Sequence, residues 1–233
     1  MRKIDPADVL ADFNAASDEI IGYFDRIETA IAAHPTREGD LSQLATQSFL
    51  ALFVAFERFC SDLLLAYLNR DFSQYQADVA DRLAVVVRGK FGNELASRIA
   101  YETKRHVSVA ELEEIVDPTG WNLTFSTVAK LKEYAERVLA VGHAARIQSV
   151  SASEARLIDA ARSIRDFIAH QSPGSKRRMN EALATVEQGG HNGHLGRVDN
   201  DVHNVGAYLK ASNAGMRRLH RYAQALRAIA AKM

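Results

Sequence analysis

Residues 42–69 constrain the fold more than any other stretch of the chain. Phe49, Leu52, Phe53, Phe56, Cys60, Leu63, Leu64 and Tyr67 recur there at three- and four-residue spacing, the period that gathers side chains on one face of an α-helix. Leaving one large apolar side chain in water instead of a core forfeits about 1.5–3 kcal/mol. This segment is therefore a core helix, and the rest of the chain has to cover it.

The covering elements read as helices too. Asp5-Pro6 followed by Asp8 supplies a cap, a proline suited to a first turn and an early acid. His34-Pro35 should stop that helix, and "PTREGDLS" separates it from the next. Residues 1–40 thus read as an N-terminal helix or arm packed on the core, and 41–233 as the main helical domain. Further helices are expected over 74–87, 91–104 and 109–116, the last opened by a Ser108/Glu111 capping box. Another covers 127 to about 147, and Ser151 with Glu154 opens the next. That helix ends at Ser172-Pro173-Gly174, because proline lacks an amide donor and turns its predecessor away from helix. A helix over 175–188, a glycine-rich loop in "GGHNGHLGRVDN", and one long or broken helix over 201–233 complete the reading. No segment offers a set of alternating strands. The expected class is all-α, a helical bundle with additional peripheral helices.

Charge and cysteine content limit the partners. Lys plus Arg equals Asp plus Glu, 29 each, so nucleic-acid binding would need a local basic patch. A single cysteine rules out an intramolecular disulfide and fits a reducing compartment, with Cys60 reading as a small buried hydrophobe. The sequence lacks an apolar run of the 18 or more residues a membrane span needs, and "MRKIDPADVLADF" lacks a signal peptide's apolar stretch. A cytoplasmic protein without a membrane partner is the expectation.

The chemistry concentrates in "AARSIRDFIAHQSPGSKRR". Ile164, Phe167 and Ile168 can bury one side of this helix, leaving Arg162, Arg165, Asp166 and His170 for the other. Arg165 and His170 are separated by about 140° in projection and about 7.5 Å along the axis. They share a target only across a cleft, through a deformed last turn, or between two copies of the helix. Asp166 lies four residues from both Arg162 and His170, so a charge ladder could orient the ring. Arg suits phosphate through its planar fork, and a His can move a proton near neutral pH. Together they suit RNA cleavage by the neighbouring 2'-hydroxyl, since that nucleophile belongs to the substrate. The alternative is a capping histidine beside a solvated arginine. Gln171, Ser172 and Ser175 can add hydrogen bonds, and Lys176, Arg177 and Arg178 can attract phosphate. Three cations at a helix start oppose its dipole, which asks for an anion or an acidic neighbour.

The "IRDFIAHQS" wording, the earlier helix around "ALFVAFERFCSDLL" and the helical C-terminal closure resemble the HEPN superfamily. These are compact helical proteins marked by Arg, four to six residues, then His, commonly with a polar residue after the Arg. The motif stands here as Arg165, Asp166, Phe167, Ile168, Ala169, His170, and the resemblance covers residues 41–233. It implies a HEPN-like bundle, a homodimer with the motif at an interface cleft, and metal-independent endoribonuclease activity without a cofactor. It also implies a toxin, host-defence or RNA-processing setting with a possible antitoxin or defence partner. Arg165 would then bind phosphate, His170 would act as acid and base, and Asp166 would be the polar helper. Many relatives carry Asn where this chain has Asp166, which adds a negative charge.

Other constellations have simpler readings. Glu57 and Asp62 interrupt the core helix near Arg58; surface placement is the ordinary reading, and an acid facing the Arg-His cleft is the alternative. His191, His194 and His203, with Asp199 and Asp201, do not match a closed zinc pattern and read as a loop. Arg217, Arg218 and Arg221 lie on neighbouring turns near the C-terminus. They form either a solvated face or, with Lys176, Arg177 and Arg178, a composite RNA groove.

Overall fold

A computed structural model describes residues 3–100, 107–117, 123–186, 195–197, 200–213 and 215–233. The protein is all-α, with eleven helices and one two-residue strand pair among the described residues. None of those helices is long and apolar enough to cross a membrane. The chain forms two compact units, Met1–Val9 with Cys60–Ser149, and Leu10–Phe59 with Val150–Met233.

Helix α1 spans Pro6–Ala30, and the core helix α2 runs over Arg37–Arg70. In the first unit, the end of α2 is joined by α3 (Ser73–Phe91), α4 (Asn93–Ala96), α5 (Val109–Val116), α6 (Val128–Val138) and α7 (Val141–Gln148). Leu63, Leu64, Tyr67 and Leu68 are buried there with Leu112, Leu131 and Ile147. Cys60 is a buried free thiol. Buried Asn69 accepts from the Ile4 N–H and donates to the Val107 carbonyl, both at 3.0 Å, so this polar side chain is satisfied inside the core.

Two expected helices in this unit differ from the structure. The single helix expected from 127 to about 147 breaks at Leu139 and Ala140, both extended. The buried positions explain the break: Val128, Leu131, Ala135 and Val138 line one face of α6, whereas α7 buries Ala144 and Ile147. A straight helix would carry that second pair out of phase with the first. Lys132 and Gln148 then tie the two helices, each side chain donating to the other's carbonyl at 3.1 and 3.0 Å. Of the helix expected over 91–104, α4 is the part that forms among the described residues; Gly92 at φ 87° separates it from α3, a left-handed conformation suited to glycine. Residues 101–104 lie outside the described residues.

The second unit packs α1 from Leu10, α2 as far as Phe59, and α8 (Ala152–His170), α9 (Pro173–Thr185), α10 (Val205–Lys210) and α11 (Arg218–Ala230). Phe13, Phe24, Phe49, Phe53 and Phe56 of the first two helices are buried with Ile164, Leu183, Tyr222 and Leu226 of the later ones. Phe13 meets Phe56 edge-on at 5.7 Å, and Phe49 meets Tyr222 at 5.1 Å. The buried Tyr208 and Tyr222 hydroxyls lie 3.1 Å apart and both donate to the Leu195 carbonyl. Asn180 holds the chain after α9 through Val202 and Arg197.

The expected C-terminal helix is broken by a short antiparallel hairpin that pairs β1 (Ser212–Asn213) with β2 (Met216–Arg217). Gly215 turns it at φ 77°. Gly206 has a different role: a Cβ there would stand 2.2 Å from the Ser42 carbonyl oxygen. Only glycine lets α10 approach the start of α2 so closely.

Candidate functional site

Every described residue of the Arg-His neighbourhood lies in the second unit. Helix α8 begins at the expected capping box of Ser151 and Glu154 and buries Leu157, Ile158, Ala160, Ala161 and Ile164. Phe167 and Ile168, expected to share that buried side, are only half-buried. The helix stays regular through His170, so its last turn does not deform to bring His170 beside Arg165.

Arg162 and Arg165 of α8 turn instead towards α2. Arg162 Nη2 lies 3.0 Å from Glu57 Oε1, and Arg165 Nε lies 3.6 Å from Glu57 Oε2. The Arg162 guanidinium also sits 5.9 Å from the centre of the Phe53 ring, within reach of a cation–π attraction. Arg165 Nη1 donates to Asp166 Oδ1 at 2.9 Å. Asp166 therefore holds its neighbour, and no ladder to His170 or Arg162 forms. The Glu57 side chain is only 11% exposed. A buried carboxylate of this kind requires cationic partners, because removing a charge from water costs several kcal/mol when it stands alone.

Glu57 is the residue the sequence reading placed wrongly, since surface placement was preferred. A signal was present: Glu57 follows Phe53 by four and Phe49 by eight, at core-facing spacing. The charges around it are close without being aligned as hydrogen bonds. Glu57 Oε1 and Arg165 Nε are both buried and both lack a well-formed hydrogen bond. Buried polar groups without a hydrogen bond are uncommon in folded proteins. Two carboxylates thus surround two guanidiniums, and the cluster carries no net charge.

His170 closes α8 as an exposed residue, its imidazole with no hydrogen bond or ion pair among the described residues. Gln171 follows in the left-handed conformation, φ 48° and ψ 27°, and its N–H donates to the Phe167 carbonyl at 2.8 Å. The next helix starts earlier than expected. Pro173 is the first residue of α9 rather than part of a turn, because its fixed φ suits a first helical position and its missing N–H is one that position does not use. Ser172 caps α9: its Oγ accepts from the Ser175 N–H, and the Ser175 Oγ accepts from the Ser172 N–H, both at 3.1 Å. Ser172 and Ser175 are thereby engaged in the cap, while Gln171 stays exposed.

The cations after this cap differ in their partners. Arg177 lies 3.8 Å from Glu181, both well exposed, a pairing of small worth. Lys176 is half-buried and Arg178 exposed; neither side chain has an acidic partner among the described residues. Because α9 begins at Pro173, Lys176 stands at the edge of its first turn and Arg178 beyond it, so the helix dipole bears little on either.

The C-terminal arginines are occupied. Arg217 forms paired hydrogen bonds with Glu28 and a further one with the Lys210 carbonyl. Arg218 lies over the Tyr208 ring at 4.6 Å and donates to the Tyr208 carbonyl at 3.2 Å. Arg221 donates to the Asn213 carbonyl at 2.7 Å. His220 and Arg227 reach Asp25 and Asp18 of α1. Of these three, Arg217 has its charge answered by a carboxylate, Glu28, whereas Arg218 and Arg221 bond backbone carbonyls. Of the loop residues read against a metal site, His191, His194 and Asp199 lie outside the described residues. Asp201 pairs with Arg197 at 3.3 Å, and His203 is exposed.

No family model matches the chain, and neither does any curated protein or solved structure.

Proposed function

We propose that this protein is a HEPN-like endoribonuclease, cytoplasmic and homodimeric, that cleaves RNA through attack of the substrate's own 2'-hydroxyl. The observation that carries the reading is the α8–α9 hairpin. It brings the Arg165 guanidinium, exposed His170, and the cations of Lys176 and Arg178 onto consecutive turns of two joined helices.

In this mechanism Arg165 binds the scissile phosphate and stabilises the charge that grows as the 2'-oxygen adds to phosphorus. His170 donates the proton required by the departing 5'-oxygen, while the proton of the 2'-hydroxyl passes to solvent. The P–O5' bond breaks as the P–O2' bond forms, leaving a 2',3'-cyclic phosphate and a 5'-hydroxyl. Neither a protein nucleophile nor a cofactor enters the balance. Lys176 and Arg178 follow the flanking phosphates. Glu57 positions Arg162 and Arg165.

The test incubates the purified full chain with mixed structured and unstructured RNA in chelator. Cleavage with cyclic-phosphate ends is expected, and Arg165→Ala and His170→Ala should each lower the rate by about 10²–10⁴-fold with folding retained. Intact RNA across that substrate range would sink the enzyme reading.

A second reading, a noncatalytic RNA-binding or protein-interaction module, is favoured by one observation. Glu57 and Asp166 already engage Arg165, so an RNA phosphate has to compete for it. Bound but uncut RNA would select this reading. Under either reading Asp166→Asn removes the competing charge, and filter binding should show RNA affinity rising by about threefold, roughly the worth of a half-exposed ion pair.

A further inference from the structure

The two rims of α1 use their polar side chains differently. On one side of the buried stripe of Phe13, Ser17 and Phe24, Asp18, Asp25 and Glu28 are taken up by Arg227, His220 and Arg217. On the other side Glu19, Tyr23 and Arg26 line an open cavity of about 320 Å³ between α1 and α2, to which α2 contributes Gln47 and Ser48. None of these five side chains has a hydrogen bond or ion pair among the described residues. Ser48 is the sharpest case, only 5% exposed and bordering the cavity. Its hydroxyl has been drawn out of bulk water without a partner from the protein, a state that buried polar groups rarely keep.

Small-molecule sites combine an apolar lining with a few convergent polar groups, in a volume from about 300 Å³ upward. Here Ile20, Leu44 and Ala51 supply the apolar part. The charges narrow the ligand further. Arg26 folds back along α1, with its Nη1 3.4 Å from the point a Cβ on Gly22 would occupy, the direction helical side chains favour. Its guanidinium thereby comes within about one turn of Glu19, since residues 19 and 22 stand about 4.5 Å apart along the axis. The two charges still do not pair. A ligand that carries both signs answers both: its carboxylate takes the guanidinium fork, and its ammonium takes the Glu19 carboxylate. A phosphate would be repelled by Glu19, and a simple carboxylate would leave Glu19 unanswered.

We propose that this cavity binds a free α-amino acid with a large apolar side chain. Arg26 receives the carboxylate and Glu19 the ammonium, while the Ser48 hydroxyl and the Gln47 amide complete the hydrogen bonds of the same head group. The ligand's side chain lies against Ile20, Leu44 and the half-exposed ring of Tyr23. One cation and one carboxylate leave the lining without net charge, as a zwitterion requires. The inference stands on this cavity alone and uses neither Arg165 nor His170.

Isothermal titration of the full chain with L-leucine and L-phenylalanine tests it. At least one should bind with a Kd of about 10–500 µM, the range open to so small a ligand. The carboxamide of the tighter ligand, which lacks the anionic charge, and its deaminated acid, which lacks the ammonium, should each bind about tenfold or more weakly. Glycine should give no binding. Arg26→Gln and Glu19→Gln should each cost about tenfold or more with helical circular dichroism unchanged, since both residues are exposed. Ala51→Phe, also at an exposed position, should fill the cavity and abolish binding. Neither amino acid binding at about 10 mM would overturn the proposal. So would an affinity that survives loss of either charge, on the ligand or on the protein, or one that survives Ala51→Phe. RNA cleavage is scored separately, so a failed amino-acid site and a failed nuclease give different results.

Discussion

Along α11 and the strand before it, Arg217, His220 and Arg227 each reach a carboxylate of α1, namely Glu28, Asp25 and Asp18. At the start of α9, Lys176 and Arg178 reach none among the described residues. Both regions read as basic runs in sequence, "GMRRLHR" and "SKRR". They differ in what stands opposite. The α11 cations complete an interhelical seam with the acidic face of α1, and a side chain held there is poorly placed to follow a phosphate backbone. The α9 cations Lys176 and Arg178 stand near the start of their helix with no carboxylate opposite them among the described residues. A cationic run that a fold leaves unbalanced is a better guide to an anionic partner than the count of basic residues.

The contrast can be broken most directly at α9. Lys176→Glu with Arg178→Glu should weaken RNA binding on the order of a hundredfold at low salt and reduce the slope of affinity against salt by about one for each lost contact. Thermal unfolding should barely change. A strong loss of stability with little loss of binding would reverse the assignment of the two regions.

Arg217→Ala should do the opposite. Losing the paired hydrogen bonds to half-buried Glu28 costs about 1–2 kcal/mol, which calorimetry should read as a fall of a few degrees in Tm for a chain of this size. RNA affinity should stay within about twofold in the same titration used for the α9 variant.

A smaller effect concerns the core beneath α11. Burial pushes the Tyr208 phenol up to about 12 and that of Tyr222 well above its ordinary value of 10.0. Both groups hold their protons more tightly in the folded state. Their stabilising contribution is therefore complete below about pH 10 and is lost as pH rises towards 12. Tyr222→Phe should cost about 1 kcal/mol at neutral pH through its lost hydrogen bond and make the alkaline decline shallower. Denaturant titrations at pH 7 and above pH 10 would check both. An unchanged alkaline slope would remove Tyr222 from the account.

How much of this was legible in the sequence follows from which forces are local. The α5 boundaries and the opening of α8 match expectation because capping boxes are written within four residues. The core helix was legible because its period is continuous. The break between α6 and α7 was less so, since only the phase of the buried residues on either side reveals it. The hairpin that splits the C-terminal helix is short and polar, with only Gly215 as punctuation. Glu57 was misplaced because its justification, two arginines about a hundred residues later, is a tertiary fact. The engaged state of Arg217 was invisible for the same reason. Sequence placed the α9 cations at a helix end; that no acidic residue among the described ones answers Lys176 and Arg178 required the fold.

Gln171 carries one last consequence. It is the only described non-glycine residue with a positive φ, and the left-handed conformation costs such a residue about 1–2 kcal/mol. Glycine would relieve that cost but would also widen the conformations open to the joint between α8 and α9. An engineer seeking thermal tolerance would choose glycine here, whereas one seeking to preserve the aim of His170 relative to the α9 cations would leave glutamine. The residue marks where rigidity of orientation and ease of folding make opposite demands on one backbone.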